Sequence, residues 1–242
     1  VIGEASLKDG SRMEVGVILG PDADHADEIN PFLGHKGPGW QEHIEGATAG
    51  ALDDLETRFY VGKVDGRVIT NIMTVEHLGV GILGHVYTTP PSRRLGACNA
   101  VMQRQMEEFR DRGGRCLHLG TGFDSAPYHI YKRHGFGSII PKSGVMRYMA
   151  DDGVLDDYFA PRPATARAIR WDDWGPLTAL TASHDCDWLR SVAWGMQGPE
   201  NFEGGFLGFR QSVEDGDIAA RVLVTDDGDR VGVATLTTHP IW

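Results

Sequence analysis

The chain has 242 residues, a formal net charge of −11 at pH 7, and a composition that is 41% hydrophobic and 24% charged. This composition excludes a disordered, collagen-like or coiled-coil protein, and the length suits one large domain or two smaller ones. No apolar run approaches the roughly 20 residues that a membrane-spanning helix needs, so we expect no membrane partner. The three cysteines form no CxxC pair, which favours a reducing, cytoplasmic location.

The negative charge is concentrated in the C-terminal part of the chain. Residues 1–150 carry 16 Lys+Arg and 18 Asp+Glu, whereas residues 151–242 carry 7 and 16. An acidic chain is a poor candidate for binding nucleic acid or an anionic membrane. The charge would suit a cationic substrate, although a solvated acidic surface is the commoner explanation.

The first 150 residues predict a mixed sheet. Alternating or β-branched runs predict three strands over residues 58–64, 67–75 and 82–88, and Asp65-Gly66 predicts a tight hairpin turn between the first two. Farther along, the pattern predicts a helix, a strand, a short helix and a final strand, over residues 98–112, 115–119, 125–134 and 145–149. Antiparallel strands followed by a helical crossover indicate an α/β or α+β domain with a mixed sheet.

The rest of the chain predicts a linker and a second, smaller domain. Residues 151–164 are rich in Pro and Asp and predict a linker, so that residues 165–242 would form the second domain. Strands predicted over 221–225 and 230–236 form another hairpin. At an offset of 163 residues, four positions of the first hairpin meet identical residues, namely Val61, Arg67, Val68 and Thr74. A tandem duplication with an incomplete second copy is therefore plausible.

The segment Thr88–Asn99, between a predicted strand and a predicted helix, carries the clearest chemical signal. A helix N-terminus leaves backbone N–H groups unpaired and carries the positive end of the helix dipole. The small residues Gly96, Ala97 and Cys98 would let a phosphate approach that backbone, and Arg93 and Arg94 add charged donors. These residues indicate an anion site, and the alternative is a basic loop that uses its glycine for turning.

Two blocks of this sequence resemble the GNAT superfamily of acyl-CoA-dependent N-acyltransferases. The run Arg93-Arg94-Leu95-Gly96-Ala97-Cys98 resembles the family's pyrophosphate loop, Gln/Arg-x-x-Gly-x-Gly/Ala, with Cys98 departing at the last position. The run from Asp124 to Phe136 resembles Asn-x-x-Ala-x-x-Leu-Tyr-x-x-x-Gly-Phe. Ile130-Tyr131 and Gly135-Phe136 are in place, whereas Asp124 and Pro127 replace the usual Asn and Ala. The resemblance covers residues from about 13 to 149, and the part from about 165 looks like the front half of another copy.

The resemblance implies a GNAT-like α/β fold with a second, incomplete GNAT-like domain, and transfer of acetyl from acetyl-CoA to a primary amine of a small molecule. Backbone N–H groups of a bulged strand would meet the acyl carbonyl and the pantetheine arm, here at Val86, Tyr87 and Thr88. The pyrophosphate would be held by the side chains of Arg93 and Arg94 and by the loop amides of Leu95, Gly96, Ala97, Cys98 and Asn99. Asp124 is placed with the coenzyme site.

The resemblance also implies catalytic roles. Tyr131 would be the general acid for the departing thiolate, since a phenol stays protonated at neutral pH. Its alternative is a tyrosine packed on the sheet. Glu76 and His85 lie on strands that face the substrate cleft in relatives and are the candidate bases, although strand-end residues are more often merely solvated. The amine proton could also leave through water alone.

Other interpretations stay open. No metal is expected, because His184-Asp185-Cys186-Asp187 is too local for a four-ligand zinc site. Because Cys98, Asp124 and Pro127 depart from the family pattern, an alternative is a non-catalytic CoA-binding or assembly module that retains the fold. Acylation of a protein lysine or N-terminus is a third hypothesis. Four tryptophans of the second part are interpreted as core aromatics, with substrate stacking as the alternative for any that is exposed: Trp171, Trp174, Trp188 and Trp194. A homodimer is left open.

Overall fold

The computed structural model describes residues 1–182 and 201–238, which form eleven strands and seven helices. The strands are β1 Gly3–Ser6, β2 Arg12–Leu19, β3 Glu56–Val64, β4 Arg67–His77, β5 Val80–Thr88, β6 Cys116–Gly120, β7 Gly137–Ser138, β8 Val145–Met149, β9 Ala164–Arg167, β10 Ile218–Thr225 and β11 Arg230–Thr237. The helices are α1 Ala26–Phe32, α2 Pro38–Ala49, α3 Ala97–Asp111, α4 Ala126–Arg133, α5 Val154–Tyr158, α6 Trp174–Thr181 and α7 Glu203–Glu214.

Eight strands form one mixed sheet in the order β1-β2-β3-β4-β5-β6-β8-β7, and three more form a second sheet in the order β11-β10-β9. Within the large sheet, β6 is parallel to β5 and antiparallel to β8. The parallel register joins Val80–Ile82 to Cys116–His118. The α3 crossover between β5 and β6 is what makes a parallel pair attainable. The predicted mixed α/β class with a second, smaller sheet is therefore confirmed.

The central elements follow their sequence signals closely. The predicted hairpin is β3–β4, and its turn residues Asp65 and Gly66 both have positive φ, 49° and 74°. That geometry matches the right-handed twist of the flanking strands and is favoured by Asp-Gly. The predicted strand over residues 145–149 coincides with β8.

The elements before residue 56 carry weak sequence signals and were not predicted. β1 has only four residues, and α1 contains Pro31 near its end. α2 buries His43, Ile44, Ala47 and Thr48, among which only one is a large apolar side chain. The hydrophobic periodicity that identifies a helix is consequently faint in this stretch.

By its contacts the chain divides into two compact units, residues 1–75 with 83–114, and residues 76–82 with 115–242. In the first unit, α3 buries one face, and Val101, Met102, Met106 and Phe109 on that face are fully buried, as their spacing predicts. In the described part of both units, no helix combines the length and the apolar character needed to cross a membrane.

In the second unit, the segment predicted to be a linker contains the helix α5. Val154, Leu155 and Tyr158 of α5 are buried in a cluster with Val80 and Cys116. The Tyr158 hydroxyl accepts a hydrogen bond from the backbone N–H of Arg230 at 2.9 Å, and burial raises the pKa of this phenol above its usual value. Residues 151–164 thus contain one packed helical turn, and their role as a linker stays a prediction. The division into domains 1–150 and 165–242 stays a prediction.

The smaller sheet repeats the order of elements at the start of the chain. Among the described residues, which leave out 183–200 between α6 and α7, the strands and α-helices β9, α6, α7, β10, β11 have the same types in the same order as β2, α1, α2, β3, β4. Both series pair the first strand antiparallel to the second, with Gly16 opposite Val61 and Thr165 opposite Val224. The predicted correspondence of Val61 with Val224 thus joins equivalent strands. As interpreted from sequence, Trp171 and Trp174 are buried, whereas Trp188 and Trp194 lie outside the described residues.

A buried ionic cluster lies in the second unit. Asp172 and Asp173 are fully buried, and Arg230 is almost fully buried. Arg230 donates from Nε to Asp173 Oδ1 at 3.0 Å and pairs through its terminal nitrogen with Asp172. Arg167 donates to both oxygens of Asp173 at 2.6 and 2.8 Å. Each buried carboxylate thus meets a guanidinium, which is the condition under which buried charge is tolerated.

We expect Asp173→Asn to lower the free energy of unfolding by about 3–5 kcal/mol, because it leaves two guanidinium groups short of a buried partner. Glu4→Gln is the matched control, since Glu4 pairs with Arg12 on the exposed surface, where such pairs contribute about 0–1 kcal/mol. Urea unfolding of both variants measures the difference. Equal effects of the two substitutions would show that the cluster does not stabilise the fold.

Candidate anion-binding loop and acyl site

The loop that leads into α3 has two residues in the left-handed region. Arg94 has φ +67° and Gly96 has φ +97°, and Gly96 is the N-cap, with no side chain to satisfy the helix. The helical hydrogen bonds begin with Ala100 N–H donating to Gly96 O, so the amides of Ala97 and Cys98 precede the first of them. Alternation of left- and right-handed residues at a helix start makes a concave group of N–H donors that suits an anion.

The side chains around this loop add positive charge. Arg93 and Arg94 are both exposed, and Arg93 Nε donates to Thr88 O at 3.1 Å. The Arg94 side chain has no hydrogen-bond or ion-pair partner within residues 1–182 and 201–238. A guanidinium without a carboxylate partner beside a helix N-terminus strengthens the attraction for an anion.

The loop is also fixed from the protein side. Lys8 N–H, in the β1–β2 turn, donates to Leu95 O at 3.1 Å, and Ala97 is buried. Cys98 is partly buried, and burial raises the pKa of its thiol to about 11. Its position at a helix start therefore does not make it a thiolate nucleophile at neutral pH. Leu95 and Asn99 are half-buried.

β5 carries a backbone irregularity just before this loop. His85 has φ +48° in the middle of the strand, and its carbonyl accepts a hydrogen bond from the fully buried Asn71 Nδ2 at 3.1 Å. The next carbonyl but one, that of Tyr87, accepts from Thr70 Oγ1 at 3.1 Å. This irregularity lies one residue before Val86, Tyr87 and Thr88, where the resemblance implies a bulged strand, and these three residues are half-buried.

Rings from α2 surround His85 itself. The Trp40 ring lies edge-on to it at 4.8 Å between centroids, and the His43 ring lies 6.5 Å away. Burial, followed by the charges of Lys36 and His35, lowers the pKa of His85 to about 3. The alternative of a solvated strand-end residue is therefore wrong for His85: the ring is buried and stays neutral at physiological pH.

Tyr131, Glu76 and Asp124 belong to the second unit. Tyr131 lies on α4 with only 6% of its surface exposed, and its ring is 6.1 Å from that of Phe136. The replacement Pro127 is accommodated because it lies in the first turn of α4, where Ser125 caps the helix by accepting from Tyr128 N–H. The motif residues therefore form the expected helix despite the substitution.

The other two candidates in that unit differ in burial. Glu76 is fully buried in β4, contrary to the expectation of a solvated strand end. Asp124 has φ +58°, is largely exposed, and pairs with His129 Nε2 at 3.0 Å. Asp124 replaces an Asn, and both residue types tolerate the left-handed region, so the substitution preserves the local backbone.

Sequence reasoning missed Asn71, Thr70 and His43. A signal for Asn71 exists, because it interrupts a run of β-branched and apolar residues in a central strand. Neither Thr70 nor His43 carries such a signal. Among the described residues, no group of three or more His, Cys, Asp or Glu side chains could hold a metal ion, and the run 184–187 lies outside them.

Comparisons with known proteins give structural likenesses alone, since no protein-family model matches the sequence and no curated protein is similar to it. The chain is similar to an acetyltransferase of the GNAT family from Staphylococcus aureus Mu50, with a TM-score of 0.44, 12% identity, and coverage of 57% of this chain and 100% of that one. It is similar to the GNAT domain of S. lividans PAT, with a TM-score of 0.45, 13% identity, and coverage of 60% and 93%.

The chain is also similar to the GNAT family N-acetyltransferase YhbS from Escherichia coli, solved in complex with CoA. Here the TM-score is 0.46 at 15% identity, with coverage of 60% of this chain and 86% of that one. These proteins belong to the family that the two sequence blocks resemble. They are partial likenesses at TM-scores below 0.5, and the chain's own geometry carries the function proposed below.

The buried histidines predict how stability depends on pH. Burial lowers the pKa values of His43, His85 and His118 to about 3, below the 6.5 of an exposed imidazole. As the pH falls below about 6.5 the unfolded chain takes up these protons first, so stability is lost progressively between pH 6.5 and 3. Each histidine contributes a slope of at most about 1.4 kcal/mol per pH unit.

Urea unfolding between pH 7 and 4 measures this slope. His43→Gln is expected to flatten it, whereas His129→Gln is the control, because the His129 side chain is half exposed. An unchanged slope in His43→Gln would contradict the assignment of a buried neutral imidazole.

Proposed function

We propose that this protein is a CoA-dependent N-acyltransferase that moves an acetyl group from acetyl-CoA to a primary amine. The observation that carries the proposal is the backbone of the α3 loop. Two left-handed residues lie at a helix start that has no side-chain cap, beside an arginine with no partner among the described residues, and the amides of Ala97 and Cys98 precede the first helical hydrogen bond. A pyrophosphate is the ligand that such a loop suits.

The residues of the loop fit coenzyme A. A Cβ added at Gly96 would meet nothing within 4 Å, so the backbone there is open to a phosphate. The amides from Leu95 to Asn99 and the Arg94 side chain would hold the pyrophosphate, while Arg93 braces the loop against Thr88. When bound, acetyl-CoA supplies the acyl group as a reactive thioester.

β5 supplies the polar groups for the acyl end. The left-handed His85 breaks the regular strand, and the half-buried residues Val86, Tyr87 and Thr88 follow it directly. Their backbone N–H groups would bind the acyl carbonyl oxygen where negative charge develops, which is an effective form of catalytic stabilisation. Asp124, whose side chain is largely exposed, stays a proposed contact of the coenzyme.

The family resemblance assigns the proton transfers to two side chains. Tyr131 would donate a proton to the departing thiolate. Glu76 stays the candidate base toward the amine, directly or through water. His85 is a weak base because its pKa is lowered to about 3 by burial, so we assign it no proton-accepting role at neutral pH.

The acceptor is proposed to be a primary amine of a small molecule. Acylation of a protein lysine or N-terminus remains the alternative for the acceptor. A CoA-binding module without turnover is the alternative for the activity. It would show itself as CoA binding without thioester cleavage in any amine screen.

We expect Gly96→Ala to weaken CoA binding by about tenfold, because a side chain at φ +97° costs roughly 1–2 kcal/mol and shifts the loop amides. Gly66→Ala is the matched control: Gly66 also has positive φ and open space around it, but it lies in the β3–β4 turn. Calorimetric titration with CoA measures both. Equal affinities of the two variants would contradict the loop assignment.

Tyr131→Phe is expected to lower kcat by about 10²-fold or more while leaving CoA affinity unchanged, because the phenol acts on the thiolate and not on the pyrophosphate. Thiol release from acetyl-CoA with an active amine measures kcat. Tyr128→Phe is the control on the same helix, since its hydroxyl contacts Ser138 at 3.0 Å. Full turnover by Tyr131→Phe would remove Tyr131 from the mechanism.

A further inference from the structure

The unfavourable backbone conformation at His85 has a specific partner. Residues with a side chain rarely adopt positive φ within a strand, and they persist there only when the surroundings impose it. The His85 carbonyl accepts from Asn71 Nδ2 at 3.1 Å, and Asn71 is fully buried in β4. Because the other end of this amide, Oδ1, is buried without a hydrogen-bond partner among the described residues, Asn71 is costly to keep.

The neighbouring side chain makes an equivalent contact. Thr70, also fully buried, donates from Oγ1 to Tyr87 O at 3.1 Å and lies 2.8 Å from Thr88 Oγ1. Two consecutive side chains of β4 therefore grip alternate carbonyls of β5, those of His85 and Tyr87.

A hydrogen bond that holds a backbone carbonyl also fixes the direction of the N–H of the next residue. The peptide unit is planar and trans, so the N–H of the next residue points opposite to the carbonyl in the same plane. Holding the His85 carbonyl therefore sets the direction of the Val86 N–H, and holding the Tyr87 carbonyl sets that of the Thr88 N–H. These are two of the amides assigned above to the acyl group.

We propose that Asn71 is a positioning residue of the acyl site: by holding the His85 carbonyl, its side-chain amide aims the Val86 N–H at the acyl carbonyl oxygen. The inference rests on the proposed function, and it adds a residue that touches neither coenzyme nor acceptor. Thr70 has the same role toward the Thr88 N–H.

The test replaces the amide with an apolar group that has the same branching at Cγ, Asn71→Leu. The matched control is Gln105→Leu, which removes another fully buried amide, on α3, whose side-chain nitrogen and oxygen have no hydrogen-bond partner in the described chain. The readouts are the Kd values of CoA and of acetyl-CoA, kcat, the thermal midpoint, and the NMR chemical shift of the Val86 amide in the free protein.

Asn71→Leu is expected to lower kcat at least tenfold, to displace the Val86 amide resonance, and to leave the Kd of CoA within about twofold, because CoA lacks the acyl carbonyl. Gln105→Leu is expected to leave both Kd values, kcat and the Val86 resonance unchanged, and to raise the thermal midpoint, because it removes a buried amide that has no hydrogen-bond partner in the described chain. Adding His85→Gly to Asn71→Leu is expected to restore part of kcat, since glycine adopts positive φ without strain. If Asn71→Leu does not fold, Thr70→Val, an isosteric change, tests the same principle through the Thr88 amide.

Three outcomes overturn the inference. An Asn71→Leu protein with unaltered kcat and Val86 resonance shows that Asn71 positions nothing. A parallel loss of CoA affinity, kcat and thermal stability shows a role in folding alone. If the unaltered protein neither binds CoA nor cleaves acetyl-CoA, both the proposed function and the inference are wrong. If the unaltered protein binds CoA and cleaves acetyl-CoA but Asn71→Leu has no effect, the inference alone is wrong.

Discussion

The start of α3 leaves the amides of Ala97 and Cys98 outside the ladder of helical hydrogen bonds, and the loop before them is arranged around that constraint. Arg94 and Gly96, just before the helix, adopt left-handed backbone conformations. The Leu95 carbonyl accepts a hydrogen bond from the Lys8 N–H of the β1–β2 turn. α3 is anchored by the apolar face that it buries. A rigid helix with an uncapped, open N-terminus is a prepared anion site, because its donors need no rearrangement to bind.

The second constraint lies on β4, whose side chains shape β5. Asn71 and Thr70 hold two carbonyls of the strand that precedes the loop, while Trp40 and His43 pack around the His85 ring. The neutral, buried imidazole follows from that packing, since ionisation in this surrounding would be costly. Backbone geometry, more than side-chain acid–base chemistry, is thus what the first unit offers to a ligand.

The sequence foretold the parts of this arrangement that depend on local signals. Asp65-Gly66 specifies a hairpin turn by itself, whereas the anion loop beside Arg93 and Arg94 stays a prediction. Other features depend on contacts between residues that are distant in the chain, and a single sequence does not reveal such contacts. These features are the burial of His85 and Glu76, the hydrogen bond from Asn71 to the His85 carbonyl, and the packing of α5. The tandem duplication suggested by four identities stays a prediction, because the described residues leave out 183–200 between α6 and α7.

The most direct measurement is an NMR titration of the ¹⁵N-labelled protein with CoA, followed at the backbone amides. We expect the largest, saturable chemical-shift changes at the amides from Leu95 to Asn99. Acetyl-CoA is expected to cause additional changes at the Val86 and Thr88 amides that CoA does not cause. Saturable binding with its largest shifts elsewhere, or no binding at millimolar CoA, would contradict the account.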